Sequence, residues 1–149
     1  MGLKGKAKIV GGIDTARLIL AIINLIYSSS AAVNSQATLW VIFVFYYVFP
    51  VISYSNAKKH HFKHEHMSGV ICAKGFALLI NIFVACSFLY SYIVLTDQGY
   101  DTSALLVYFV VFLFWFAIDV WGLSVYTRLR NKQFAKHSHP DNHARLNPG

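Results

Sequence analysis

Charged residues are scarce in this chain: only 13% of its 149 residues are Asp, Glu, Lys or Arg, whereas 56% are hydrophobic. With a mean hydropathy of +0.50, the composition departs from that of soluble proteins toward that of membrane proteins. The hydrophobic residues are gathered into four long blocks separated by short polar stretches. This pattern excludes an ordinary soluble fold and favours one compact membrane domain.

The apolar blocks also lack the strict alternation of apolar and polar residues that marks the strands of a membrane barrel. They cover about 11–32, 38–54, 69–95 and 103–126, and all reach the roughly 17 residues that a spanning helix requires. Because lipid cannot hydrogen-bond an open backbone, each block is predicted to be helical. The expected fold class is therefore all-α, a bundle of four transmembrane helices.

Lys and Arg are missing from two of the three connections between blocks, near 33–37 and 96–102. Because Lys and Arg concentrate on the cytoplasmic side of membrane proteins, this asymmetry predicts an antiparallel up-down bundle with both termini cytoplasmic. The chain then divides into a basic cytoplasmic N-terminus (1–10), a four-helix transmembrane domain (11–127) and a flexible, basic, His-containing tail (128–149).

Residues that bind metals or cofactors are few inside the blocks. Cys72 and Cys86 would lie about 21 Å apart on one helix, at about 1.5 Å per residue, so they cannot pair with each other. No His lies within a block, which excludes a haem held by two bundle histidines. Neither a catalytic triad nor an HExxH, P-loop or dinucleotide motif is present. We expect no cofactor and no enzymatic activity.

The formal net charge of +7 does not indicate a nucleic-acid partner. Most Lys and Arg lie beside the apolar blocks, where such residues determine topology and contact anionic lipids, and no phosphate-binding face is formed. The densest group, here called the His/Lys patch, lies between the second and third blocks. It consists of Lys58, Lys59, His60, His61, Lys63, His64 and His66.

The histidines of the His/Lys patch are also candidates for a metal site. These candidates are His60, His61, His64 and His66. Their spacing matches no zinc motif closely, and the neighbouring lysines would repel a cation. We therefore expect no metal, and interpret the patch as a surface for anionic headgroups that strengthens as its histidines become protonated.

Four ionisable residues lie inside the predicted spans. They are Asp14, Arg17, Lys74 and Asp119. An ionisable group within a membrane is costly and is by default a functional hypothesis, and these four fall at one depth, within about two turns of the cytoplasmic edge. One interpretation is a polar pathway for protons or ions. In the structural interpretation Asp14 pairs with Arg17, Lys74 snorkels to the interface, and Asp119 takes one of the cations as its partner. We favour the structural interpretation.

Two amides lie near the middle of their spans, Asn24 in the first block and Asn81 in the third. Amides in membranes commonly hydrogen-bond between helices, usually for about 1 kcal/mol or less. A pair joining the first and third helices is therefore expected. A binding site in the membrane core is the alternative, but it would need more polar groups than two amides.

Two segments carry a resemblance to a known family. The first block, in DTARLILAIINLIYSSSAAVNS, resembles the first helix of MARVEL-type proteins, especially small fungal members. The last block, in FVVFLFWFAIDVWGLSVYTRLR, is similar to their aromatic, Trp-containing fourth helix. The resemblance implies a four-span protein with a non-enzymatic role in membrane apposition, lateral organisation or vesicle traffic. It transfers no catalytic residues, and the His/Lys patch is not a feature of the family.

The sequence thus supports three hypotheses of function. The first is a scaffold or trafficking protein that organises membranes through helix and lipid contacts. The second is an accessory subunit of a larger membrane enzyme, transporter or respiratory complex, and the third is a small oligomeric transporter or channel. The expected partners are membrane lipids, other membrane subunits or further copies of the chain, in a eukaryotic plasma membrane or endomembrane.

Overall fold

The computed structural model describes residues 2–30 and 34–138, and within these ranges the chain forms four α-helices. They are α1 (Leu3–Ser30), α2 (Asn34–Lys59), α3 (His64–Asp97) and α4 (Ser103–Ser138). All four are long and apolar enough to cross a membrane, judged by length and composition. The protein is therefore all-helical, in agreement with the sequence-based prediction of fold class.

The helices extend beyond the apolar blocks at most of their ends, whereas the bounds of the membrane spans stay a prediction. Residues 3–10 belong to α1, residues 34–37 belong to α2 rather than to a connection, and residues 128–138 continue α4 where a flexible tail was expected. Backbone hydrogen bonding does not stop at the edge of a hydrophobic run, and Lys, Arg and Gln are good helix formers. The rest of the tail, 139–149, lies outside the described residues.

The helices pack in a ring. Helix α1 lies against α2 and α4, and α3 lies against the same two helices. Among the described residues, no Cα atoms approach within 8 Å across either diagonal, from α1 to α3 or from α2 to α4. Any contact across the centre of this bundle must therefore be made by long side chains.

Two apolar clusters fill the centre. The Tyr126 cluster comprises Ala7, Val10, Tyr54, Ala57, Phe62, Met67, Val70, Val125, Tyr126 and Leu129. The Phe43 cluster comprises Ala21, Phe43, Tyr46, Tyr47, Ala77, Ala85 and Phe112. In the Phe43 cluster the rings of Phe43 and Phe112 stack at 5.5 Å between centroids, across the diagonal from α2 to α4. Along their helices, the buried charged residues lie between members of the two clusters: Asp14, Arg17, Lys74 and Asp119.

The turn from α2 to α3 contains two consecutive non-glycine residues in the left-handed region, His61 (φ 55°) and Phe62 (φ 59°). Each such residue costs about 1 kcal/mol or more. The amide of Phe62 donates to the carbonyl of Ala57 at 2.7 Å, and its ring is buried 6.1 Å from the ring of Tyr54. Burial of Phe62 in the Tyr126 cluster offsets the backbone strain of this turn.

One glycine sets the distance between α1 and α2. A Cβ atom at Gly11 would overlap the ring of Tyr54, whereas one at Gly12 would meet nothing within 4 Å. Tyr54 is buried and packs against Tyr126 at 6.5 Å between ring centroids, so it has little room to move.

We therefore expect Gly11→Ala to lower the free energy of unfolding by about 1–3 kcal/mol, as overpacking usually does. Gly12→Ala is the matched control, and it should be neutral or stabilising because Ala is about 1 kcal/mol better than Gly within a helix. Unfolding of both variants in mild detergent micelles measures the difference. Equal stabilities would contradict the close packing of Gly11 on Tyr54.

Candidate functional site

The four ionisable residues predicted to share one depth are brought together by the structure. The Nζ atom of Lys74 lies 2.5 Å from Oδ1 of Asp14 and 2.6 Å from Oδ1 of Asp119. Nη1 of Arg17 lies 2.6 Å from the same oxygen of Asp119 and 3.7 Å from Oδ1 of Asp14. Helices α1, α3 and α4 each contribute to this group, here called the charged layer.

The interpretation in which Lys74 snorkels to the interface is wrong. Lys74 is only 1% exposed, and its side chain reaches across the diagonal to Asp14 while also meeting Asp119. Inside the bundle its ammonium group pairs with two carboxylates. The energetic incentive to reach the headgroups is therefore removed, because a buried charge is tolerated where it is paired and hydrogen-bonded.

Gly122 on α4 makes room for the Lys74 stem. A Cβ atom at this position would lie 3.1 Å from Cε of Lys74 and 2.8 Å from Cγ1 of Val10. Helix α4 therefore presents bare backbone at the point where the lysine crosses, which explains a glycine in an otherwise bulky, aromatic helix.

Arg17 is anchored by more than ion pairs. Its Nη2 atom donates to the carbonyl of Trp115 at 3.2 Å. The guanidinium also lies 4.1 Å from the centroid of the Trp115 ring and 5.9 Å from that of Tyr47. A planar guanidinium can stack and donate several hydrogen bonds at once, which an ammonium cannot do. The surroundings therefore select Arg rather than Lys at this position.

The predicted pair of Asn24 with Asn81 is wrong. Nδ2 of Asn24 donates to the carbonyl of Leu20 one turn back on its own helix, at 2.8 Å. Nδ2 of Asn81 donates instead to Oδ2 of Asp119, so Asn81 is a fifth member of the charged layer. Its position seven residues after Lys74, about two turns along the same face, is the sequence signal that could have placed it there.

The charged layer is neutral and enclosed. Two carboxylates balance two cations, and Asp14, Arg17, Lys74, Asn81 and Asp119 are each less than 5% exposed. Three of its buried atoms make no hydrogen bond in the structure: Asp14 Oδ2, Arg17 Nε and Asn81 Oδ1. The two cations pair with the two carboxylates, so their charges cancel. The layer therefore joins three helices but carries no net charge that would attract a charged ligand.

The His/Lys patch spans the end of α2, the turn and the start of α3. The rings of His60 and His66 stack at 4.0 Å between centroids, and His64 contacts the ring of Phe134 on α4 at 5.1 Å. Across the described residues, no three His, Cys, Asp or Glu side chains are grouped in a way that could hold a metal ion. Lys58 and Lys59 lie in the last turn of α2, where cations favour the helix dipole.

The chain matches no protein-family model, no curated protein and no solved structure. The resemblance to MARVEL-type proteins therefore stays a prediction. The geometry of the charged layer and of the surrounding surfaces is what carries the functional inference.

The charged layer predicts a strong penalty for removing one of its members. Lys74→Met leaves two carboxylates facing one arginine, and we expect it to destabilise the protein by about 3–5 kcal/mol, the usual cost of an uncompensated buried charge. Adding Asp14→Asn restores neutrality and should recover a large part of that loss. Lys8→Met, at an exposed position on α1, is the control. Unfolding in detergent measures these variants together with Asp14→Asn alone and the wild-type protein, and a loss in the double variant that equals the sum of the two single losses would contradict the coupling.

A second prediction concerns His60. Removal of water from its ring lowers the pKa of His60 below 6.5, and nearby cationic groups, His66 first among them, lower it further. Because the unfolded chain then binds this proton more readily than the folded one, His60 reduces stability as the pH falls below about 6.5. We expect His66→Ala to raise the pKa of His60 toward its ordinary value. Histidine NMR titration in micelles measures this, with His64→Ala as the control that should leave the pKa unchanged.

Proposed function

We propose that this protein is a multi-pass membrane protein whose helices alternate in direction, with both termini and the α2–α3 turn on the cytoplasmic side. The Tyr126 cluster supports the alternation, since it unites Val10 near the start of α1, Ala57 near the end of α2, Met67 near the start of α3 and Leu129 far along α4. The distribution of charge supports the orientation. Apart from Arg17 and Lys74, every Lys and Arg in the described ranges belongs to the start of α1, the α2–α3 turn with its flanks, or the last part of α4, the ends that the Tyr126 cluster brings together.

Within that topology, we propose a non-enzymatic role in membrane organisation, scaffolding or trafficking. The observation that carries this proposal is that the buried ionisable residues pair with one another. The outer surface is therefore the part of the molecule that is left to interact with lipids or partners. That surface is apolar and aromatic: Phe45 is 67% exposed, Phe83 72%, Tyr90 70% and Phe114 62%. Aromatic side chains of this size supply large contact areas for lipid or for another membrane helix.

An accessory subunit of a larger complex is the second candidate, and the same surface favours it. On α3 the exposed residues Phe76, Phe83 and Tyr90 recur every seven positions, a spacing suited to a neighbouring helix. A transporter is disfavoured, because the charged layer is neutral and enclosed and a conduction path needs polar groups that remain available to the moving ion.

Extraction with mild detergent separates these possibilities. A scaffold that acts through its own copies and lipids should run as a small assembly and should form cross-links through the exposed Cys72 or Cys86 when mildly oxidised. A fixed stoichiometric association with one large complex would establish the accessory subunit instead. Ion flux through liposomes containing the wild-type protein, abolished by Asp119→Asn, would overturn both.

Orientation has its own test. In a variant without cysteines, single cysteines are introduced at two exposed positions, Gln98 in the α3–α4 turn and Asn131 near the end of α4. We expect an impermeant maleimide added to intact cells to label the Gln98→Cys protein, and to label the Asn131→Cys protein only after permeabilisation. Labelling of both from the same side would contradict the single span, α4, proposed to lie between them.

A further inference from the structure

A shallow groove of about 440 Å³ runs along the outside of the bundle between α1 and α2. On α1 it is lined by Lys8, Gly11, Gly12, Thr15, Ala16 and Ile19, and on α2 by Tyr54 and Lys58. From Lys8 to Ile19 the helix rises about 16 Å, at about 1.5 Å per residue. One leaflet of a membrane has a hydrocarbon layer of about 15 Å, half of a core about 30 Å thick. The groove therefore has the length of a single acyl chain.

The middle of the groove is kept open by Gly12. A Cβ atom at this position would meet nothing within 4 Å, so packing among the described residues does not require a glycine here. Glycine is also less favourable than alanine inside a helix. Ala16 follows one turn later and is exposed as well, and small residues of this kind let a neighbouring group approach the backbone closely. The bare stretch of α1 thus leaves space for a molecule outside the chain.

One end of the groove is basic. Lys8 and Lys58 are both exposed, and the ion pairs of the described residues all lie within the charged layer, so neither lysine is neutralised by a carboxylate. Asp14, on the same helix as Lys8, turns inward to Lys74 and does not line the groove. Two ammonium groups at the edge of an apolar groove favour a phosphate whose negative charge is not cancelled by a cationic headgroup.

Tyr54 supplies a third donor beside the two lysines. Its ring lies against Gly11 and is only 8% exposed, yet Tyr54 lines the groove and its hydroxyl makes no hydrogen bond with the residues described. The hydroxyl of Tyr46, by contrast, donates to the carbonyl of Ala77. The described side-chain atoms that are both sealed and unpaired belong to the charged layer, so the hydroxyl of Tyr54 is reachable from the groove. An oxygen atom of a bound phosphate can accept a hydrogen bond from it.

We infer that this groove binds one anionic glycerophospholipid whose phosphate carries no cationic headgroup. Lys8, Lys58 and the hydroxyl of Tyr54 hold the phosphate, and one acyl chain lies over Gly12 toward Ile19. The inference rests on the proposed membrane topology, and it adds a defined lipid site to the proposed role in membrane organisation. The site differs from the His/Lys patch, with which it shares Lys58, because it combines a phosphate-binding end with an apolar groove.

The test is native mass spectrometry of the full-length protein in a neutral detergent. The probes are palmitoyl-oleoyl phosphatidic acid and the phosphatidylcholine with the same acyl chains, which differ only in the choline group. We expect one phosphatidic acid per chain to bind about tenfold more tightly than further molecules, and about tenfold more tightly than phosphatidylcholine. Equal binding of the two lipids, or the absence of a distinct first molecule, would overturn the proposal. Excess glycerol phosphate, which has no acyl chains, should compete poorly, and efficient competition would contradict the assignment to a lipid.

Paired lysine variants separate the groove from the general charge of this end of the bundle. Lys8→Gln together with Lys58→Gln should weaken binding of the first phosphatidic acid about tenfold or more. Lys59→Gln together with Lys63→Gln removes the same charge from exposed positions outside the groove, and should change that binding by less than about twofold. Equal weakening by both pairs would show that the lipid is held by overall charge and not by the groove.

Variants within the groove test its apolar part and the tyrosine. Gly12→Leu fills the groove without meeting a neighbouring atom at its Cβ, and should weaken binding about tenfold, whereas Gly69→Leu, at an equally open and exposed position on α3, is the control. Tyr54→Phe keeps the ring and removes the hydroxyl, and should weaken binding about threefold or more. Unchanged binding in either variant would overturn this placement of the lipid. The maleimide test of orientation is separate, so a protein that labels as proposed but binds both lipids equally keeps its topology and loses only this site.

Discussion

The whole bundle depends on one electrostatic constraint: charges held away from water must find their counterions inside the protein. Taking a carboxylate or an ammonium group out of water costs several kcal/mol even after relaxation, and only close, well-oriented partners recover that cost. Asp119 lies at the centre of this network of partners, because Arg17, Lys74 and Asn81 all donate to its two carboxylate oxygens. The depth of three helices relative to one another follows from this single carboxylate. A slip of one turn, about 5.4 Å, would separate it from all of its partners.

The constraint also explains how the two diagonals of the bundle are joined. Backbones do not meet across either diagonal in the described part of the chain, so side chains bridge them by two different means. Lys74 and Asp14 connect α1 to α3 by an ion pair, while stacked rings of Phe43 and Phe112 connect α2 to α4. An ion pair fixes both distance and direction, whereas stacked rings allow sliding. We infer that the ion pair between α1 and α3 sets the register of the helices along the bundle axis. The stacked rings between α2 and α4 fill the space around it.

The four long apolar helices and the four ionisable members of the charged layer could be predicted from the sequence, because apolar blocks and the depth of an ionisable residue within a block are properties of the chain itself. The path of Lys74 could not be predicted in that way. Whether a lysine snorkels or crosses the bundle depends on where the neighbouring carboxylates point, and this depends on the rotation of three helices. The same reason accounts for the error at Asn24 and Asn81: both lie near mid-span, but only Asn81 faces Asp119. The helix ends were underestimated because hydropathy marks the hydrocarbon edge rather than the end of the backbone hydrogen bonding.

The distribution of charge among the helices has a consequence for biogenesis. Helix α1 carries its own counterion, with Asp14 and Arg17 one turn apart and 3.7 Å between their charged atoms, so these two charges are balanced within the helix. Helix α3 brings the lone cation Lys74 and helix α4 the lone anion Asp119, which meet at 2.6 Å in the finished bundle. Neither is balanced within its own helix, and an unpaired charge in lipid is expensive. Because Lys74 and Asp119 balance each other, α3 and α4 are suited to enter a membrane together, as one hairpin.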